Sequence, residues 1–125
     1  MRNSGRANSI GDVAKTFEQL VIASDHKAEV GKNLRLARES LGISQAKMAR
    51  NYGFAANRLN QWEAGIYYPD PYFLSSFCRD FGFSMDWFYR GQMGAVSASR
   101  VDDLRAAIAA DAALQKAAAL LEPQN

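Results

Sequence analysis

The sequence predicts an all-α fold, and three observations lead to this prediction. Apolar residues recur at helical spacing, for example Leu74, Phe77 and Phe81. Glycine follows several of these stretches, where a helix commonly ends in the left-handed conformation. Serine or aspartate stands before several of them and can cap a helix N-terminus.

The size and charge fit one small domain. The chain has 125 residues, of which 48% are hydrophobic, and its formal net charge is +2. This mildly basic balance does not by itself indicate nucleic acid as a partner.

The composition excludes several kinds of site. The single cysteine, Cys78, rules out a disulfide framework and a thiolate metal cluster, and the single histidine, His26, supports neither a metal site nor a catalytic triad. Carboxylate pairs and phosphate-binding glycine loops are also missing from the sequence, so we expect a protein that is not an enzyme and uses no cofactor. No apolar run approaches the ~20 residues that span a bilayer, and the N-terminus lacks a signal-peptide pattern, so we expect a cytoplasmic protein.

Residues 44–65 contain the motif on which the functional interpretation depends. They predict a helix over 45–51 that Ser44 caps, a tight turn at Gly53, and a second helix over 56–64 that ends at Gly65. Two short helices joined in this way form a helix-turn-helix.

The second helix has one apolar and one polar face. Leu59 and Trp62 share a face and are expected to point inward. The opposite face carries Asn57, Arg58, Asn60 and Gln61. Amide side chains can donate to and accept from an adenine edge in the major groove, and arginine can bind phosphate or guanine. An ordinary solvated helix face is the alternative interpretation.

The segments before this unit are predicted as follows. Residues 1–11 are polar and predict a disordered lead, in which Arg2 and Arg6 suit either a basic arm or a plain flexible terminus. An extra N-terminal helix occupies the segment 12–27, with a polar break over 24–27. The domain itself is expected over 28–91, and its first helix covers 28–41.

The segments after it contain three further helices. Asp70 and Pro71 begin a helix that runs to about Phe81, with Cys78 as a buried thiol on its apolar face. A short helix covers 85–90. The segment 92–125 is expected to hold a linker and an alanine-rich helix, which either serves as a dimerisation arm or frays.

Several motifs in residues 30–91 match a known family. They are Leu34-Arg35-Leu36-Ala37-Arg38-Glu39, Gly42-Ile43-Ser44-Gln45, Met48-Ala49, Gly53-Phe54, Leu59, Trp62-Glu63, Gly65, Pro69 and the run 83–91. About half of the chain thereby resembles the lambda-repressor-like (Cro/C1-type, XRE) helix-turn-helix regulators of bacteria and phages. The resemblance implies five short helices, of which the third lies in the major groove of DNA.

The resemblance also assigns roles to individual positions. Base contacts are implied for Ala56, Asn57, Asn60 and Gln61. We expect phosphate contacts from Gln45, Lys47, Arg58, Tyr67 and Tyr68. The resemblance further implies a structural ion pair between Arg38 and Glu63.

Two functions follow as hypotheses. The first is a sequence-specific transcriptional regulator, expected to be a repressor, that binds double-stranded DNA as a homodimer on a palindromic site. The second is a protein-interaction module on the same fold, such as an antitoxin or adaptor. Ala55 cannot cap the helix, and Ala56 cannot form a hydrogen bond with a base. Tyr67 and Tyr68 replace the basic loop of the family, so a protein partner could bind there or on the C-terminal helix.

Overall fold

The computed structural model describes the backbone of residues 10–121 and the side chains of residues 22–121. Within this range the chain forms six helices: α1 (Ile10–Ser40), α2 (Gln45–Tyr52), α3 (Ala56–Glu63), α4 (Pro71–Phe81), α5 (Met85–Arg90) and α6 (Ala98–Leu121). The predicted all-α class is confirmed. Of the predicted disordered lead, residues 1–9 lie outside the described residues, and Ile10 and Gly11 belong to α1.

The first helix is longer than predicted, because the expected break over 24–27 is absent and α1 continues for 31 residues. Those four residues are polar, but they include neither glycine nor proline, and polarity alone does not end a helix. In addition, His26 is held by two residues far along the chain, Tyr68 and Tyr89. The prediction of a separate N-terminal helix over 12–27 is therefore wrong, because these residues form the first part of α1.

The starts of α2, α4 and α5 follow from local capping. Ser44 accepts a hydrogen bond from the backbone N–H of Lys47, and Ser84 accepts one from that of Trp87. Asp70 does the same for Tyr72, one residue after a proline that lacks the N–H in any case. These short-range bonds explain why the predicted bounds of α2, α4 and α5 agree with the structure to within a residue.

An aromatic and aliphatic core holds the six helices together. Phe77 of α4 lies at its centre, within 5.2–6.0 Å (ring centroids) of four other phenylalanine rings. Fully buried side chains include Leu34, Met48, Leu59, Leu74, Phe77, Phe88 and Leu104. Burial of each such side chain contributes about 1.5–3 kcal/mol. Cys78 packs against this core as predicted but is only half-buried, and its burial raises the pKa of the thiol.

Two glycines allow α1 to cross the end of α3 at close range. A Cβ at Gly31 would lie 2.4 Å from the carbonyl oxygen of Trp62, and a Cβ at Gly65 would lie 2.7 Å from Cα of Ala28. No side chain fits either gap. The orientation of α3 relative to α1 therefore depends on the two glycines.

The first half of α6 packs against the rest of the domain. Leu104 is fully buried, Arg35 of α1 pairs with Asp111 at 2.9 Å, and Arg100 donates to the carbonyl oxygen of Phe81. The segment before α6, expected to be a linker, contains the buried Val96 and packs on the domain. Beyond Asp111 the described side chains of α6 are exposed. None of the described helices combines the length and hydropathy needed to cross a bilayer.

Candidate nucleic-acid interface

The helices α2 and α3 form a helix-turn-helix whose inner side is packed into the core. Met48 and Ala49 of α2 and Leu59 and Trp62 of α3 are buried. The turn passes through Gly53, which adopts a positive φ of 79°. The small side chain of Ala49 allows the two helices to approach each other.

The outer face of α3 is amide-rich. Asn57, Asn60 and Gln61 are spaced at i, i+3 and i+4 and so share one face of the helix. The two asparagines are exposed and Gln61 is half-buried. Ala56 is exposed in the first turn, and Ala55 makes no side-chain capping bond. At positions 55 and 56 the start of α3 thus presents only backbone groups and methyl groups.

A chain of polar side chains runs from the core to this face. Arg38 donates to both oxygens of Glu63, through Nε at 2.7 Å and Nη2 at 2.9 Å, and donates through Nη1 to the carbonyl oxygen of Ile43 at 2.7 Å. Gln45 Nε2 donates to Glu63 at 2.9 Å. At the outer end, Asn60 Nδ2 lies 3.4 Å from Gln45 Oε1. The structure thus brings together four residues that the sequence singled out for three different roles.

The direction of the hydrogen bonds in this chain is fixed by its charges. An ionised carboxylate only accepts hydrogen bonds, so the amide NH₂ of Gln45 must face Glu63 and the amide oxygen must face Asn60. The NH₂ of Asn60 then faces Gln45, which leaves the Asn60 oxygen and one N–H for another partner. One acceptor beside one donor is the arrangement that pairs with N6 and N7 of adenine.

Positive charge surrounds the same unit. Residues 44–65 contain three cations, Lys47, Arg50 and Arg58, and one carboxylate, Glu63. The three cations are exposed, whereas the Glu63 side chain is only 3% exposed and faces Arg38. The unit therefore presents net positive charge to solvent. Arg50, which the sequence did not single out as a phosphate contact, is one of its sources.

The two tyrosines after α3 differ in what they offer. Nε2 of His26 faces the carbonyl oxygen of Tyr89 at 2.9 Å and must donate to it, so Nδ1 of the neutral ring is an acceptor. In this neutral tautomer the Tyr68 hydroxyl, 2.7 Å from Nδ1, donates to it, so its proton is directed at His26 and away from a phosphate. Tyr67 is 58% exposed and makes no side-chain hydrogen bond within the described part of the chain.

Two residues that position the site, Gly31 and His26, were not identified from the sequence, and Gly65 was identified only as the end of the second helix. Gly31 and Gly65 fix the crossing of α1 with α3, and His26 holds the loop after α3. The only signal for Gly31 was a glycine inside a helical pattern, which often marks close packing. Among the described residues, no group of His, Cys, Asp and Glu is arranged to hold a metal ion.

Comparison with known proteins identifies the same unit. A family model described as a helix-turn-helix domain matches residues 31–93, just over half of the chain. No match was found among curated proteins or among solved structures. The matched range includes α2–α5 and the last ten residues of α1. The chain belongs to the helix-turn-helix domain family, whose module binds DNA by placing its second helix in the major groove.

Proposed function

We propose that this protein is a Cro/C1-type, sequence-specific transcriptional regulator that reads the DNA major groove with α3. The observation that carries the proposal is the series of side-chain hydrogen bonds that links Arg38, Glu63, Gln45 and Asn60 in that order. It starts at a buried ion pair and ends on the exposed face of α3, so it preorganises an amide where a base edge would lie. A solvated helix face with no ligand has no need of such support.

Base reading is assigned to α3. Asn57, Asn60 and Gln61 share a face and carry the hydrogen-bonding groups, and the methyl group of Ala56 suits the C5-methyl of thymine. Each well-formed bidentate amide contact contributes about 1–3 kcal/mol of discrimination against a wrong base.

Phosphate binding is assigned to Lys47, Arg58 and Tyr67, which are all exposed. Gln45 already bonds to Glu63 and Asn60, so its main role is to orient Asn60. Tyr68 is left out of the phosphate set because its hydroxyl proton points to His26.

The protein acts as a homodimer on a palindromic operator in a bacterial or phage-infected cytoplasm. A single α3 contacts few base pairs, and two copies related by a two-fold axis read half-sites about one helical turn (~34 Å) apart. The exposed end of α6, with Leu114, Leu120 and Leu121, offers apolar surface for the dimer contact. Repression is favoured because α2 exposes Ala46 and Arg50, whereas the family resemblance implies acidic residues at these positions in activating members.

The salt dependence of binding to random duplex DNA tests the electrostatic part of this proposal. Fluorescence anisotropy of a labelled duplex is measured between about 50 and 300 mM KCl, and log K is expected to fall by about 0.9 per log unit of salt for each phosphate contact. Arg58→Ala should weaken binding to every sequence and reduce the slope by about 1 for each bound subunit. Arg105→Ala removes another exposed cation, on α6, and serves as the matched control, with no expected change. Undetectable binding at low salt would contradict the proposal.

Base reading is tested separately with Asn57→Ala and Asn60→Ala. Each variant should bind random duplex as the parent does but lose preference for the selected operator, because phosphate contacts are sequence-independent. Gln92→Ala, at an exposed amide outside α2 and α3, is the control. Equal weakening on all sequences would argue against base reading by these residues.

One observation favours the second candidate function, a protein-interaction module. Ile66 and Tyr67, in the loop after α3, are more than half exposed, and Tyr72 at the start of α4 is 77% exposed. Tyrosine is enriched at protein interfaces, where its ring adds contact area and its hydroxyl remains solvated. Tyr72→Ala should leave DNA binding unchanged, and loss of a co-purifying protein from this variant would support the second function.

A further inference from the structure

A cleft lies between α1, α5 and α6, on helices other than the two that form the helix-turn-helix. Its volume is about 320 Å³, at the lower end of the range typical of small-molecule sites. Glu29, Lys32 and Leu36 line it from α1, Trp87 and Arg90 from α5, and Ile108 from α6. None of the lining residues belongs to α2 or α3, so the cleft is distinct from the proposed DNA-reading face.

The floor of the cleft is apolar and offers few hydrogen-bonding groups. Leu36 and Trp87 lie beneath it, almost fully buried, and Met93 and Ile108 form half-buried walls. The Trp87 indole N–H already donates to the backbone oxygen of Asn33 at 2.9 Å. The Asn33 amide in turn donates to the backbone oxygen of Phe88 at 3.1 Å. A ligand body that needs no hydrogen bonds, such as a planar ring, therefore fits the floor best.

The rim of the cleft supplies the charge. Lys32 and Arg90 line it, and neither forms an ion pair with another residue in the described part of the chain. Asp111, which also lines it, is already paired with Arg35 at 2.9 Å and accepts from Gln115 at 3.0 Å. Glu29 is the remaining carboxylate. Among the rim charges that have no ion-pair partner in the described part of the chain, two are cations and one is an anion, a balance that favours a ligand with a single negative charge.

We propose that this cleft binds a small organic carboxylate with a planar apolar body. The carboxylate lies between Lys32 and Arg90, which supply ammonium and guanidinium donors for it. The ring lies over Trp87 and between Met93 and Ile108. Glu29 opposes the ligand charge and weakens binding.

Titration of the full chain with three probes tests the proposal. Benzoate, phenylacetate and indole-3-acetate are added to ¹⁵N-labelled protein, and amide shifts are followed by NMR. Saturable shifts are expected within 29–36, 87–93 and 108–115, with a Kd of about 1–10 mM for ligands of this size. Benzamide, the neutral analogue of benzoate, should bind at least about threefold more weakly, since it lacks the charge that Lys32 and Arg90 would bind.

Charge variants at the rim sharpen the test. Lys32→Gln and Arg90→Gln should each raise the Kd for the tightest probe about three- to tenfold, because each removes a charged donor. Glu29→Gln should lower the Kd, since it removes a repulsive charge. Arg105→Gln lies outside the cleft lining and should have no effect. All four positions lack ion pairs within the described residues, so the variants should melt as the parent does.

Three results would overturn the proposal. One is the absence of saturable shifts from all three carboxylates up to about 20 mM, which exceeds the expected Kd range. Another is equal affinity for benzoate and benzamide, because the charges would then play no part. The third is a set of shifts that maps outside the cleft or that persists unchanged in Lys32→Gln and Arg90→Gln.

Discussion

Replacement of Glu63 by alanine removes one acceptor group from three hydrogen bonds at once. Two come from Arg38, at 2.7 and 2.9 Å, and one comes from Gln45 at 2.9 Å. Arg38 is 8% exposed, so its guanidinium would remain largely desolvated without its carboxylate partner. Removal of one partner of a buried ion pair typically costs about 3–5 kcal/mol.

The cost for Glu63→Ala should lie near the lower end of that range, at about 3 kcal/mol. The reason is that Arg38 keeps its bond to the carbonyl oxygen of Ile43 and has Glu39 4.0 Å away. For a chain of this length, about 3 kcal/mol corresponds to a fall in melting temperature of roughly 10–15 °C. Circular dichroism melts and urea unfolding at pH 7 measure both quantities.

Two controls isolate the cause. Glu39→Ala removes a carboxylate that is 45% exposed and pairs with Arg35 at 3.0 Å, and it should cost no more than about 1 kcal/mol. The double variant Arg38→Met/Glu63→Leu removes both charges and should recover most of the stability lost in Glu63→Ala. A melting temperature for Glu63→Ala within about 2 °C of the parent would refute the reasoning, since even 1 kcal/mol should shift it further.

Three further predictions concern the scaffold around the site. Gly31→Ala should destabilise the fold by about 1–3 kcal/mol or more, because its Cβ would lie 2.4 Å from a backbone oxygen of α3, whereas Gly94→Ala points into open space and should be neutral in the same urea titrations. Leu104→Ala should cost about 2–5 kcal/mol in calorimetric melts, since that side chain is fully buried, and a loss below 1 kcal/mol would mean that α6 is not packed on α1. The hydrogen bond from Tyr52 (2.6 Å) is the main cause of a lowered Asp80 pKa, so the folded state should lose stability as the pH falls through that lowered value, below the ordinary 3.8. Tyr52→Phe should reduce this acid-side dependence, and identical stability-versus-pH curves below pH 4 would contradict the assignment.

The features that the sequence predicted well depend on neighbouring residues. The bounds of α2, α4 and α5 follow from capping side chains within three residues of each start. The inward positions of Leu59 and Trp62 follow from helical spacing alone. These interactions are complete within one or two turns of helix, so no tertiary information is needed to see them.

The features that the sequence did not predict depend on residues far apart in the chain. The continuity of α1 past Ser24 involves hydrogen bonds of His26 with Tyr68 and Tyr89, which lie far from it in the sequence. Val96 was also expected in a free linker, but it is buried in the core cluster, most of whose other members lie far from it in the sequence. Spacing within one segment carries no information about such partners.

The same distinction between neighbouring and distant residues applies to the candidate site. The amide-rich face of α3 is visible in the sequence, and the pairing of Arg38 with Glu63 was implied only by family resemblance. The link from that pair through Gln45 to Asn60 joins side chains of α2 and α3, so spacing within one helix does not indicate it. The cleft between α1, α5 and α6 also lay beyond sequence patterns, because three separated helices line it.

Selection of bound sequences from a random DNA pool is the direct test of whether α3 reads bases. The full chain is incubated with random duplexes, bound DNA is recovered over several rounds, and the enriched sequences are compared with those from Asn60→Ala. The parent protein should enrich a palindromic motif with half-sites about 10 bp apart. Asn60→Ala should show weaker preference at one base pair in each half-site. Sequences no different from the input pool, or the same motif from both proteins, would contradict base reading by Asn60 on α3.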